Sequence, residues 1–237
     1  MNVPLVRTSA FATPKGHSVD MQWRETTADW NNLTSSMVED EYGLRDLELS
    51  GVALDIGAYI GGVTVGLLID HPGLSVVSVE PIPENLELLR ANVTWASRLS
   101  IVEGAVGHGD IRYDYEDDDG RVDDFAGQHR YYGNTFGFDL YCEGQPHKAV
   151  QAPVFTIAEL VPDGDIALCK IDCEGGEYGF LDSPDVARIA LIVGEWHPNG
   201  REGAGPDAIR QLLDATHDVT IYPHPASGPG NFRAVRR

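Results

Sequence analysis

Val52-Ala53-Leu54-Asp55-Ile56-Gly57-Ala58-Tyr59-Ile60-Gly61-Gly62 is an apolar run that ends in an acid, turns on glycine and enters the apolar-periodic segment Val63 to Ile69. That order reads as a buried strand feeding a helix through a tight loop, the opening of a nucleotide-binding α/β sheet. The loop spacing separates two kinds of ligand. A dinucleotide site places glycines at the first, third and sixth loop positions, the third so that backbone can approach the pyrophosphate. Here the third position is Tyr59, and Asp55 would repel a pyrophosphate beside it. S-adenosylmethionine carries no phosphate, and its sulfonium and amino group are cationic, so an acid at the strand end suits it. Gly57 and Gly61 still supply the turn and the close helix start.

Leu74 to Glu80 is a second apolar strand ending in an acid, about 20 residues beyond the loop, the reach of a carboxylate that grips ribose hydroxyls. Pro81 to Val93 follows as a helix, with Pro83 near its start and Leu86, Leu88, Leu89 and Val93 apolar. Acids closing both strands, without the third-position glycine, favour S-adenosylmethionine over NAD. An NAD-dependent oxidoreductase is the rival enzyme class, and a non-catalytic nucleotide-binding module the rival outside enzymes.

The chain has 237 residues, enough for one domain with a full core. Acids outnumber bases 37 to 17, a formal net charge of −20. A surface that acidic repels a phosphate backbone, which disfavours a nucleic-acid partner. Three cysteines, two of them close together at Cys169 and Cys173, make no disulfide framework and point to a reducing compartment. No stretch reaches the ~18 apolar residues of a membrane span. The expectation is a soluble, cytoplasmic protein with no membrane partner.

Residues 1–50 precede the sheet and read as an N-terminal flap, helical over Asp29 to Leu47, with Thr26, Thr27 and Asp29 placed to close over a cofactor. Ser100 to Val106 reads as strand three, with Glu103 and Gly104 where the chain could pass an adenine. Residues 107–150 then break the strand–helix rhythm as an insertion too long for a simple connection. Its Asp114 to Asp124 run fails as an EF-hand: with Gly120 sixth, Tyr115 and Ala126 take the first and twelfth positions, where acids belong. A solvated acidic loop remains. The aromatic stretch Tyr131 to Tyr141 reads equally as a substrate-pocket wall or a packed hairpin. Strands four and five, Ile166 to Asp172 and Ile189 to Glu195, both end in acids, and a helix follows over Pro206 to Ala215. The short link between Val219–Tyr222 and Asn231–Val235 holds no crossover helix, so that pair is antiparallel. A mostly parallel sheet with a reversed C-terminal hairpin strand is the class I methyltransferase outline, here spanning 51–237.

Ligands of open α/β sheets bind at the carboxyl ends of the strands, where Asp55, Glu80, Asp172 and Glu195 all fall. If strands four and five are neighbours, ~4.8 Å apart, the last two carboxylates converge. Paired carboxylates need a cation, a shared proton or a base between them. Asp172 and Glu195 are thus candidates to share a hard divalent ion such as Mg²⁺, which would hold an acceptor hydroxyl; Lys170, Arg201 and backbone amides are the competing partners. His197, just past strand five, is the histidine best placed for a general base.

Asp55-Ile56-Gly57-Ala58-Tyr59-Ile60-Gly61 and Lys170-Ile171-Asp172-Cys173-Glu174-Gly175-Gly176-Glu177 together resemble the FkbM-type methyltransferases, over roughly residues 40 to 200. The resemblance implies a class I fold and methyl transfer from S-adenosylmethionine, usually to an oxygen of a sugar, polyketide or other small natural product. It would place Asp55, Gly57 and Gly61 in the cofactor loop and Glu80 on the ribose; Ala58 and Tyr59, lying between those glycines, are expected to bind the cofactor too. It also implies an acidic block of Asp172, Glu174 and Glu177 beside the methyl donor, with Glu195 the acid after strand five. Cys173 and Gly176 are small departures from the family's pattern, and the acidic insertion is a larger one. The acceptor expected is a small molecule.

Overall fold

The computed structural model describes residues 5–107, 111–114, 135–136, 147–150, 152–197, 204–222 and 229–237. The chain begins with a hairpin that its sequence conceals, β1 (Val6–Ala12) and β2 (Ser18–Arg24), paired antiparallel from Val6↔Arg24 to Ala12↔Ser18. Its turn closes through Gly16, at φ +88°, which donates to the Thr13 carbonyl. The helical part of the flap is shorter than expected. Helix α1 (Asp29–Leu33) runs into a π-helical turn over Thr34–Val38, and Tyr42 and Leu44 then pack as buried loop residues. The sequence signal misleads because apolar residues in this stretch recur at helix-like spacing whether or not the backbone is helical.

The α/β part follows as β3 (Ser50–Ile56), α2 (Gly62–Asp70), β4 (Gly73–Glu80), α3 (Pro83–Asn92) and β5 (Leu99–Glu103). Three short strands, β6 (Ile111–Asp114), β7 (Thr135–Phe136) and β8 (His147–Val150), form a separate sheet in the order β7-β6-β8 within the insertion. Most of the aromatic stretch 131–141 and the whole of 115–124 lie outside the described residues. The core resumes with α4 (Ile157–Leu160), β9 (Leu168–Ile171), α5 (Glu177–Leu181), a 3₁₀ turn over Pro184–Arg188, β10 (Leu191–Trp196), α6 (Pro206–Leu213), β11 (His217–Tyr222) and β12 (Gly230–Arg236).

The main sheet has seven strands in the order β11-β12-β10-β9-β3-β4-β5. Counting its strands along the chain gives 6-7-5-4-1-2-3, with the seventh antiparallel to both its neighbours and every other pair parallel. This is the class I, Rossmann-like methyltransferase topology, with the topological switch between β3 and β9. Both faces of the central strands are covered, so their residues are buried on alternate sides. Leu54, Ile56, Ile171, Ile192 and Phe232 fill one layer, and Ala53, Leu168, Val193 and Leu67 the other. Among the described residues no helix is long and apolar enough to cross a membrane.

Polar contacts that the hydrophobic pattern does not announce hold the flap down. Asp70, at the end of α2, accepts from Thr13 Oγ1 at 2.6 Å and from the Lys15 amide at 2.9 Å. Asn92 exchanges hydrogen bonds with the Gln22 backbone and donates to the Ile60 carbonyl. Arg24 makes a two-pronged pair with Asp29, 2.9 Å on each prong, and both side chains are buried. Arg24 also reaches Asn85 in α3. Removing one member of a buried pair strands the other charge, which costs about 3–5 kcal/mol. Asp29→Ala should therefore lower the urea-unfolding free energy by that order. A loss under about 1 kcal/mol would show that the pair does not anchor the flap.

Candidate active site

The β3–α2 loop is shaped by close backbone approaches. Gly57 has φ +72°, and a Cβ there would lie 1.8 Å from the Asp172 carbonyl oxygen. Glycine is required because the loop passes directly against the end of β9. The Gly57 and Ala58 amides both donate to the Val79 carbonyl at 3.0 Å. Tyr59, at φ +52°, donates its amide to Glu80 Oε2 at 2.9 Å and its hydroxyl to Asp29. The Arg24 guanidinium lies 5.7 Å from the Tyr59 ring centroid. Gly61, at φ +96°, starts α2, and a Cβ there would press on Leu89.

The cofactor-half acids do not all face open space. Asp55 is fully enclosed, accepting from Thr64 Oγ1 at 2.6 Å and lying 3.5 Å from Lys170 Nζ. This corrects the expectation of an acid facing the ligand, because the Asp55 charge is engaged by Lys170 beneath the loop. Glu80 is buried and accepts from Tyr59, the Ile82 amide and Asn85 Nδ2, which leaves one of its four acceptor positions. Burial raises its pKa, against those hydrogen bonds. Glu103 is exposed and pairs with Arg90 at 3.0 Å, while Gly104 gives room to Phe155 and the Pro153 carbonyl. Neither Glu103 nor Gly104 is shaped by anything ligand-like. Asp29 bonds Tyr59 and Arg24, and Thr27 Oγ1 bonds the Arg24 carbonyl, so the contacts of both serve to seat the flap.

On the other half, β9 and β10 are neighbours and their terminal acids converge as expected. Ligand atoms of Asp172, Glu195 and His197 lie within 4.8 Å of one another. The His197 ring sits among four carboxylates: Glu177 at 3.3 Å from Nδ1, and Glu174 and Glu195 at 3.4 Å and Asp172 at 3.8 Å from Nε2. Glu177 is fully buried and also accepts the His197 amide at 2.7 Å, so it fixes both backbone and ring. Burial opposes a charged ring, but Glu174, Glu177 and Glu195 outweigh it and hold the His197 pKa well above the ordinary value. The surrounding carboxylates favour the charged form of the ring that the sequence reading expected as a general base.

Two residues of the flap complete the cluster. Tyr42 donates its hydroxyl to Asp172 Oδ2 at 3.0 Å, and its ring lies 5.5 Å from Lys170 Nζ. Glu41 turns its carboxyl to Glu195; burial, then that contact, pushes its pKa up to about 8. Glu195 is moved the opposite way, since hydrogen bonds from His197 and Glu41 outweigh burial and lower its pKa. The proton of that pair therefore sits on Glu41. Burial raises Asp172, and burial with neighbouring acids raises Glu174 to about 7. The sequence reading missed Glu41 and Tyr42. Their only signal was an acidic Glu39-Asp40-Glu41 run ahead of the first sheet strand, a pattern that solvated surface produces just as well.

Lys170, expected as a competitor for the acid pair, points elsewhere. It donates to the Gly57 carbonyl at 2.8 Å and the Ile56 carbonyl at 3.2 Å. Burial lowers its pKa, but Asp55, Asp172 and Glu41 outweigh that and hold it above the ordinary value. Arg201 lies outside the described residues.

A family model described as "Methyltransferase FkbM domain" matches residues 55–219. No curated protein matches the chain. Among solved structures, precorrin-6y C5,15-methyltransferase from Geobacter metallireducens aligns at a TM-score of 0.49 and 14% identity, covering 91% of this chain and 93% of that one. Trm5b from Pyrococcus abyssi aligns at 0.49 and 10%, covering 100% and 56%. TrmK from M. capricolum, solved with S-adenosyl-homocysteine, aligns at 0.45 and 8%, covering 81% and 65%.

The cluster makes folding stability depend on pH in a definite direction. Glu41 and Glu174 hold their protons more tightly in the folded chain than in the unfolded one. The stability linked to those protons is complete below about pH 4.5 and falls as pH rises to about 7–8. His197, also raised, contributes in the same sense: fully below its ordinary pKa, and progressively less as pH climbs through the folded value. Tm should therefore fall between pH 5 and pH 9. Glu41→Gln, which has no proton to lose, should flatten part of that fall. An identical slope in wild type and variant would remove Glu41 from the cluster.

Proposed function

The chain belongs to the FkbM methyltransferase family, whose domain and fold are those of S-adenosylmethionine-dependent methyltransferases, and from that premise we propose that it methylates a hydroxyl of a small metabolite such as a sugar, polyketide or other natural product. The observation that carries this reading is the convergence of Asp172 and Glu195 around His197, at the carboxyl edge beside the Gly57–Gly61 loop.

S-adenosylmethionine would lie against that loop and supply an electrophilic methyl on sulfur. Glu80, with its remaining acceptor position, is the group to take the ribose hydroxyls. The acceptor oxygen attacks the methyl in line as the sulfur–carbon bond breaks, and the hydroxyl proton passes to a carboxylate. Asp172 suits that role better than Glu195, because its raised pKa makes it the stronger base. Tyr42 holds one Asp172 oxygen in place and the His197 cation screens the remaining acids, so proton acceptance does not require all the acids to be charged together. Holding the two reactants in line supplies much of the acceleration.

A second reading concerns a metal. The one-nitrogen, two-carboxylate donor set of His197, Asp172 and Glu195 is compact enough to close on a divalent ion. Including an imidazole suits a borderline ion such as Fe²⁺ or Zn²⁺ better than Mg²⁺. Binding would release the His197 proton.

Asp172→Asn should lower kcat by about 10²–10⁴-fold, the range for loss of a general base, while donor affinity by calorimetry stays near wild type. Full turnover in the variant removes Asp172 from the chemistry. Glu80→Gln should weaken donor binding by roughly 10–100-fold, the loss of a hydrogen bond to a charged group. Turnover that survives excess EDTA unchanged would set the metal reading aside and leave Asp172 as a metal-free base.

A further inference from the structure

Beside the carboxylate cluster, across Glu41 and Tyr42, lies a cavity of about 400 Å³, within the range of small-molecule sites. Glu41, Tyr42, Gly194, Tyr222, Asn231 and Arg233 are among the residues lining it. Its position follows from the reversed strand. β12 runs antiparallel to β10, so its first residues lie at the carboxyl edge, with Asn231 opposite Glu195 and Arg233 opposite Val193. Opposed residues share a face, so Glu195, Asn231 and Arg233 stand on one side of the sheet. Glu41 and Tyr42 belong to both places: each lines the cavity and touches the cluster, through Glu195 and Asp172. Glycine keeps the floor thin, since a Cβ on Gly194 would lie 1.9 Å from the Ile171 carbonyl oxygen.

The charges in this cavity are not equivalent. Asp40 also lines it, but its two oxygens accept the Leu44 and Arg45 amides at 2.7 and 3.1 Å. Glu41 faces Glu195. Arg233 differs from the neighbouring cations of its own segment: Arg236 pairs with Asp165 and Arg237 with Asp218, whereas among the described residues no acid pairs with Arg233. In a chain of net charge −20, a half-buried guanidinium without an acid beside it is a fork suited to a carboxylate or phosphate.

Resting on the methyltransferase reading above, we propose that this cavity takes the acceptor, and that the acceptor is a small hydroxylated anion whose carboxylate or phosphate is held by Arg233 while its hydroxyl reaches the Asp172–Glu195 pair. The strand sets its length. Arg233 is two residues from the position opposite Glu195, roughly 7 Å along a strand, about the width of a six-membered ring bearing the two groups at opposite ends. Tyr222, with half its surface exposed, offers an aromatic face on the same strand-paired wall.

The test is calorimetric titration of the protein loaded with S-adenosyl-homocysteine. The probes are 4-hydroxybenzoate against 4-hydroxybenzyl alcohol, and glucuronate and glucose 6-phosphate against glucose. At least one anionic probe should bind, and its neutral counterpart should bind at least 10-fold more weakly. Arg233→Met should weaken the anionic probe at least 10-fold and Arg233→Lys less, with homocysteine-cofactor affinity within about twofold of wild type. Binding of carboxylates alone or of the phosphate alone would identify which anion the fork takes. Neutral and anionic probes binding equally, no probe binding, or Arg233→Met leaving the anion's affinity unchanged would each overturn the assignment. Wild-type protein that fails to bind S-adenosyl-homocysteine at all would instead remove the methyltransferase reading on which the assignment stands.

Discussion

One buried ammonium joins the two halves of the site. Lys170 lies at the centre of the sheet, donates to the Ile56 and Gly57 carbonyls, and stands 3.5 Å from Asp55. Those carbonyls belong to the cofactor loop, while Lys170 itself leads into Asp172. The register of the β3–β9 pair, Asp55 opposite Lys170 and Ile56 opposite Ile171, sets this up. A buried lysine is costly unless paired, so any displacement of the loop from β9 would strand the charge. The Gly57 contact with the Asp172 carbonyl follows from the same closeness: with the loop held by Lys170, no side chain fits between the two backbones. The cofactor loop and the acidic block are therefore one rigid unit.

Beyond that unit the problem is an excess of negative charge. Asp172, Glu174, Glu177 and Glu195 surround one imidazole, and Glu41 adds a fifth carboxyl against Glu195. The structure eases the burden in two ways: the carboxylates favour a charged His197, and burial raises Glu41 to about 8 and Glu174 to about 7. The two neighbours are also moved apart, burial raising Asp172 while hydrogen bonds from His197 and Glu41 lower Glu195; on the proposed methyl transfer, that difference would let one accept a proton while the other stays ionised. The backbone contributes as well. Glu174 is held at φ +56°, an uncommon conformation for a side-chain-bearing residue, and it lies in the segment that turns its carboxylate to the histidine.

The sheet was legible in the sequence because its parallel strands are buried on both faces, and such strands read as continuous apolar runs ending in acids. The reversed final strand was legible from a link too short for a crossover helix. The convergence of Asp172 and Glu195 followed from strand adjacency alone. What sequence could not show is which way a terminal side chain turns. Asp55 and Asp172 end adjacent strands in the same pattern, yet Thr64 and Lys170 draw the first beneath the loop while Tyr42 holds the second at the site. The hairpin was missed although its second strand alternates strictly, with Val19, Met21 and Trp23 between polar residues; its first strand has only Val6 and Phe11 as large apolar residues, and they fall on opposite faces. It is fastened by single polar contacts at Asp70, Asn92 and Arg24, which carry no periodic signal.

The matched domain begins at Asp55, yet the site does not. Tyr59, inside the matched region, reaches Asp29, while Asp172 and Glu195 are met by Tyr42 and Glu41. The contacts that seat the flap and those that complete the carboxylate cluster therefore draw on the same fifty residues. This division has a physical rationale. The loop and the acidic block are locked together by Lys170 and by backbone approaches that tolerate only glycine. The neighbouring cavity is walled by loop residues 40–43 and by the reversed strand, and Tyr42 meets that unit through its side chain at Asp172. Side-chain contacts of that kind can be exchanged without disturbing the loop, so on the proposed function the acceptor wall can change while the donor site is preserved.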